Sequence, residues 1–308
     1  MFKKYLLFWV AAACCSTSLQ ATELTFTAIG DQPYFSDDAF STLITKINAD
    51  TLSQFTIHVG DIKHGANTCS DERFLSVEKL FNEFTGPLIY TPGDNEWTDC
   101  HRPSNGSYNP EERLQKLRQL FFPKAASLGQ KQIPLEREGD LLSNYRAYIE
   151  NARWTTESVM FITINQVGSN NNLDPDVPGA LEEYKRRNAA NIAWLNNSFK
   201  LAQHKHSLAI VIAMQSDTFD QRTPKKSGFK DFIETVAKLA KAYNKPILLI
   251  QGDSHQFKVD QPIQDNNGVT VPNILRMIVP GASLVQAVQV KIDTSQRAIG
   301  DVFSFKKY

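Results

Sequence analysis

Apolar and polar positions along this chain follow two periods in turn. Short apolar runs rich in β-branched and aromatic residues, at 24–29, 55–59, 88–91, 159–165, 208–214 and 247–250, read as strands, and another at 145–149 reads the same way. Between them, spacing close to 3.6 residues predicts helices at about 38–49, 71–84, 110–122, 180–203 and 229–243. A Gly/Asn/Asp/Pro-rich loop spans 168–178, and the tail at 274–305 reads as three strands without a helix. The alternation predicts a sheet covered by helices, and the strand-only tail predicts a second sheet packed against the first.

Four of these strands end in the same dipeptide: Gly30-Asp31, Gly60-Asp61, Gly93-Asp94 and Gly252-Asp253. In α/β proteins ligands gather at the carboxyl ends of strands, where a glycine lets the chain turn sharply and the next side chain points into the crevice. Four carboxylates delivered to one place repel one another unless a cation sits between them. A divalent metal is the natural candidate.

Composition narrows the class. No linker or compositional break divides the 308 residues, so 22–308 reads as one domain. The 33 basic and 33 acidic residues cancel, and no basic run, Lys225-Lys226 and Lys306-Lys307 included, is long enough for a nucleic-acid or membrane-surface patch. At the start, Lys3 and Lys4 precede an apolar run at 5–15 and small residues ending at Ala21, which reads as a signal peptide over 1–21. That run is too short to span a bilayer and no later one reaches the ~20 apolar residues needed, so no transmembrane segment is expected. The mature chain is expected in the periplasm or secreted; anchoring through a lipid on Cys14 is the alternative.

Beyond Ala21 only Cys69 and Cys100 remain, an even pair in an oxidising compartment, and a disulfide between them is expected. It would tie together the loops leaving the second and third Gly-Asp corners and contribute about 3 kcal/mol by constraining the unfolded chain.

The corner sequences resemble the calcineurin-like metallophosphoesterase family. The stretches that carry the resemblance are Asp31-Gln32-Pro33, Gly60-Asp61-Ile62-Lys63-His64-Gly65, Pro92-Gly93-Asp94-Asn95-Glu96-Trp97, Ala213-Met214-Gln215-Ser216 and Gly252-Asp253-Ser254-His255, spread over about 24–290. The resemblance implies a four-layer αββα sandwich, two mixed sheets flanked by helices, and one or two divalent metal ions drawn from Mn, Mg, Fe, Zn or Ca. Metal ligands by this correspondence are Asp31, Asp61, Asp94, Gln215, Asp253 and His255, with Asp61 in the place of the bridging carboxylate. Asn95 stands where the family has a His that assists the leaving group; a register slipped by one makes Asn95 the ligand and Glu96 the substituted His. Pro33 stands where a ligating His is usual, leaving Gln32 or water to substitute.

These departures alter the chemistry expected. Asp31, Asp61 and His255 form a mixed set suited to Zn, Mn or Fe, whereas Asp61, Asp94, Gln215 and Asp253 form an oxygen-only set suited to harder cations. Four carboxylates cancel the charge of two divalent metals, so phosphate binding calls for nearby cations. Lys63 and His64 follow Asp61, and His101 and Arg102 follow Cys100; these are the candidates for assisting the leaving group and, for Arg102, for gripping phosphate oxygens. His58, His204 and His206 read as structural, Trp97 as packing, and Asp217 and Asp220 as surface loop residues. The function expected is hydrolysis of a small-molecule phosphoester by metal-activated water. The alternative is a degenerate member that binds a ligand, metal or partner without turnover.

Overall fold

The computed structural model describes residues 23–220 and 227–308. The signal-peptide reading, with Lys3, Lys4, Cys14 and Ala21, and the pair Lys225-Lys226 lie outside the described residues.

The first half of the chain holds β1 (Glu23–Ile29), α1 (Asp37–Ala49), β2 (Thr56–His58), α2 (Asp71–Phe81), β3 (Leu88–Tyr90), α3 (Pro110–Phe121), β4 (Glu136–Arg137), α4 (Glu138–Leu141), β5 (Ala152–Thr156) and β6 (Val159–Thr163). It continues through α5 (Gly168–Asn171), α6 (Ala180–His204), β7 (Ala209–Ala213), α7 (Lys230–Tyr243), β8 (Ile247–Gln251), β9 (Lys258–Asp260), β10 (Ile274–Ile278), β11 (Val288–Asp293), α8 (Ile299–Val302) and β12 (Phe303–Lys307). Helix starts follow local chemistry: the side chains of Ser36, Ser70 and Asn109 accept from the backbone amides three residues on, and Pro110 opens α3 where no amide donor is needed.

Two mixed sheets result. One runs β12-β11-β1-β2-β3, with β1, β2 and β3 parallel and the two tail strands antiparallel; the other runs β4-β5-β6-β7-β8-β10-β9, with a parallel centre from β6 to β10. Strand side chains alternate between two buried faces. Phe26, Ile57, Phe161, Val211, Leu248, Met277 and Val290 meet between the sheets. Ile29 and Tyr90 pack under α1 to α3, while Met160, Ile162, Ile210 and Leu249 pack under α6 and α7. Three apolar cores separate four layers, and the architecture is an αββα sandwich.

Two expectations need correcting. Residues 145–149 do not form a strand; the strand is β5, paired antiparallel with β6 so that Trp154 faces Phe161. Nor does the tail build its own sheet, because β10 joins the seven-stranded sheet while β11 and β12 join the five-stranded one. Among the described residues, no helix is long and apolar enough to cross a membrane.

Candidate active site

The Gly-Asp corners converge at one end of the sandwich, but the glycines act differently from expectation. The aspartates take the left-handed backbone at three corners, Asp31 (φ 54°), Asp61 (φ 59°) and Asp253 (φ 69°), and of the four glycines only Gly60 does. Gly93 is required for space: a Cβ there would stand 2.1 Å from Asp61 Oδ1. The absent side chain lets one corner's backbone close on the next corner's carboxylate.

Ligand atoms of Asp31, Asp61 and His255 lie within 4.8 Å of one another, the spacing one metal ion needs, and no other trio of His, Cys, Asp or Glu converges so among the described residues. Asp31 and Asp61 are buried, while the His255 side chain is 38% exposed and closes the trio from the solvent side. Both carboxyls are pushed well above the usual carboxylate range. Burial is the main cause for each, followed by the charge of Asp253 on Asp31 and of Asp94 on Asp61. A cation would relieve both effects, so this donor set fits a divalent ion. The backbone amide of Asp253 donates to both oxygens of Asp31, at 3.0 and 3.1 Å, and orients it.

Asp61 is held from several sides. Its Oδ2 accepts from the Tyr34 hydroxyl (2.8 Å), Asn95 Nδ2 (2.8 Å) and Gln215 Nε2 (3.2 Å), and its Oδ1 accepts from the Asn95 amide (3.1 Å). Gln32 does not take the place of the missing His, since its Nε2 donates to the Gln286 carbonyl instead. Tyr34, which sequence reasoning passed over, reaches the site; an aromatic three residues past the first Asp corner was the available signal.

Asp94, Gln215 and Asp253 stand beside the trio. Gln215 is fully buried and turns its amide nitrogen to Asp61 and to Asp94 Oδ1 (3.1 Å), not the oxygen a ligand would offer. Asp94 Oδ2 accepts from the Ser169 hydroxyl (2.8 Å). The slipped register gains no support from Glu96, whose Oε1 accepts from the amides of Asp61 and Gly93 and from the Tyr90 hydroxyl beneath the site.

A cleft of about 1100 Å³ opens above, lined by Asp61, Asp94, Asn95, Asp253 and His255 at its base and by Phe35, His64, Arg102 and Leu173 higher up. His64 Nδ1 accepts from the Ala66 amide, which leaves Nε2 as its protonated nitrogen. Arg102 pairs with Asp99 at 2.6 Å and donates to Ser169 at 3.2 Å. Burial and the charge of Asp94 push Asp99 up to about 7, against the pull of Arg102. Lys63 and His101 are not brought to the cleft. The Lys63 ammonium is buried against the carbonyls of Asn95 (2.7 Å) and His64 (3.1 Å), with its pKa lowered by that burial, and the His101 ring bonds the Thr98 carbonyl at 2.7 Å.

Cys69 and Cys100 are disulfide-bonded, and both sulfurs pack against the Asn95 carbonyl, at 3.4 and 3.7 Å. The staple therefore lies directly under a residue that grips Asp61. Trp97 is packing, buried beneath the Arg187 guanidinium. Asp217 is not a surface residue: it is buried, pairs with Arg276 at 2.5 Å, and its amide donates to Asp253 Oδ2.

No family model matches the chain, and no curated protein does. Among solved structures it is similar to GAP50, the anchor in the inner membrane complex of Plasmodium, at a TM-score of 0.51 and 13% identity, over 92% of this chain and 88% of that one. It is also similar to TT1561 of Thermus thermophilus (TM-score 0.46, 12% identity, 93% of this chain and 99% of that one). A third is the purple acid phosphatase PPD1 from yellow lupin seeds (TM-score 0.47, 12% identity, 94% of this chain but 54% of that one). The first likeness shows a shared fold and carries nothing about activity. Fold and site together define an αββα sandwich with a candidate Asp/Asp/His metal centre at its strand ends.

Proposed function

We propose that this chain is an exported, metal-dependent hydrolase of small-molecule phosphoesters. One observation carries the reading: two buried carboxylates and an imidazole, Asp31, Asp61 and His255, converge at the base of an open cleft. A divalent cation held by these three would supply positive charge for a phosphoryl group and acidify a bound water. Two oxygens and one nitrogen suit Mn, Fe or Zn.

The chain's own groups have distinct tasks in this reading. Tyr34 and Asn95 fix Asp61 by donating to it, so its carboxylate needs no reorganisation. His64 faces the cleft and donates a hydrogen bond from its Nε2–H to the leaving oxygen as that oxygen gains negative charge, the proton the alkoxide finally takes coming from water. Arg102, braced by Asp99 and Ser169 on the wall, offers its remaining N–H groups to phosphate oxygens. Export fits the disulfide, which an oxidising compartment maintains, and leaves 22–308 as one mature domain.

The test is hydrolysis of a monoester and a diester by the mature chain, stripped with chelator and reloaded with Mn, Fe, Zn, Mg or Ca in turn. Turnover that returns with metal and is lost in Asp61→Asn is expected; no turnover with any ion, or an unchanged Asp61→Asn, refutes the reading. One observation favours the alternative of a non-catalytic binder: Asp61 Oδ2 already accepts from three neutral donors and is satisfied without an ion. Metal bound tightly with no turnover would establish that alternative.

A further inference from the structure

The second cation position that the sequence resemblance implies does not fit a cation in this chain. Its expected donors are Asp61, Asp94, Gln215 and Asp253, yet Gln215 presents a nitrogen there. Gln215 Oε1 accepts the Gly168 amide at 2.6 Å, which fixes the orientation of the side chain. Nε2 then spends one hydrogen on Asp61 Oδ2 (3.2 Å) and the other on Asp94 Oδ1 (3.1 Å). An amide nitrogen has no lone pair to give a metal. Flipping the amide would set its oxygen against two carboxylates and its NH₂ against the Gly168 N–H.

The side chain is also wedged. A Cβ on Gly60 would stand 2.9 Å from Gln215 Cβ, and one on Gly93 would stand 2.8 Å from Gln215 Cγ, so both glycine backbones press on it. Gly168 closes the other side, where a Cβ would meet Asp94 Oδ2 at 2.7 Å and Asp253 Oδ2 at 3.0 Å. Asp94 is satisfied by neutral donors at both oxygens, Gln215 on one and Ser169 on the other. Asp94 and Asp253 stay outside the converging trio.

We infer that the Gln215 amide occupies the place of a second cation, bridging Asp61 and Asp94 through its two N–H groups, and that the chain holds one divalent ion. This rests on the reading of Asp31, Asp61 and His255 as a metal centre and sets its nuclearity. The bridge replaces Coulomb attraction by two charge-assisted hydrogen bonds and leaves Asp94 a positioning residue rather than a ligand.

Manganese titration of the full mature chain by calorimetry, with electron paramagnetic resonance of the loaded protein, tests this. Expected are one equivalent of Mn(II) with a magnetically isolated signal, and an Asp94→Asn variant that keeps that one equivalent. Gln215→Glu, which places an oxygen where Nε2 stands, is expected to take a second equivalent and give a spin-coupled signal. Two equivalents in the parent chain, loss of one in Asp94→Asn, or a Gln215→Glu variant still at one overturns the inference and leaves the hydrolase reading standing. No bound manganese overturns both.

Discussion

The hydroxyl of Tyr34 donates to Asp61 Oδ2 at 2.8 Å, and its ring stands edge-on to the imidazole of His255 with centroids 5.4 Å apart. One side chain thus touches two of the three candidate ligands. Burial, and the charge of Asp61 after it, hold the phenol well above its ordinary pKa, so it remains a donor across the neutral range. Groups that orient a ligating side chain are worth about 10–100-fold in metal affinity. Tyr34→Phe is expected to weaken manganese binding by that order without unfolding the chain, as read by titration beside circular dichroism.

His64 is expected to matter in proportion to the leaving group. A hydrogen-bond donor aimed at developing negative charge contributes about 10²–10³-fold. His64→Ala should lower kcat by that order for an alkyl phosphate and far less for p-nitrophenyl phosphate, whose leaving oxygen is already stabilised by its ring. Equal losses on the two esters would remove His64 from that role.

The Cys69–Cys100 bridge closes a sequence separation of 31 residues and underlies Asn95. Replacing both cysteines by alanine should cost about 3–4 kcal/mol of stability on the chain-entropy account. It should also loosen manganese binding, because the Asn95 loop loses its support. Denaturant unfolding checks the first effect and titration the second.

His58 is buried, bonded to the Gln32 carbonyl at 2.8 Å, and pushed down to about 4 by that burial. Between pH 6.5 and about 4 the unfolded chain takes up a proton that the folded chain refuses. Stability from this group is therefore complete above pH 6.5 and falls by about 3 kcal/mol as pH drops through that window. His58→Gln should flatten that part of the stability profile relative to the parent chain.

Much of the site was legible because glycine-aspartate steps at strand ends are local features. Asp31, Asp61, Asp94, Asp253 and His255 each follow a strand directly, so the fold delivers them to one edge. What escaped depends on distant neighbours. The orientation of the Gln215 amide is set by Gly168, 47 positions away, and its partners Asp61 and Asp94 lie further still. Lys63 sits in a promising loop, yet carbonyls near the disulfide capture its ammonium. The missed strand β5 has a local cause. It enters a two-residue turn at Glu157 and Ser158, both left-handed at φ 49° and 63°, a hairpin geometry usually marked by Asn or Gly. Without that mark, the aromatic run at 145–149 drew the assignment instead.

Most directly, crystals of the mature chain grown with Mn(II) should be measured for anomalous scattering at the manganese edge. One peak bounded by Asp31, Asp61 and His255, with none between Asp61 and Asp94, is the expected result. A map with no peak among those three side chains would contradict the metal centre on which the proposed hydrolysis depends.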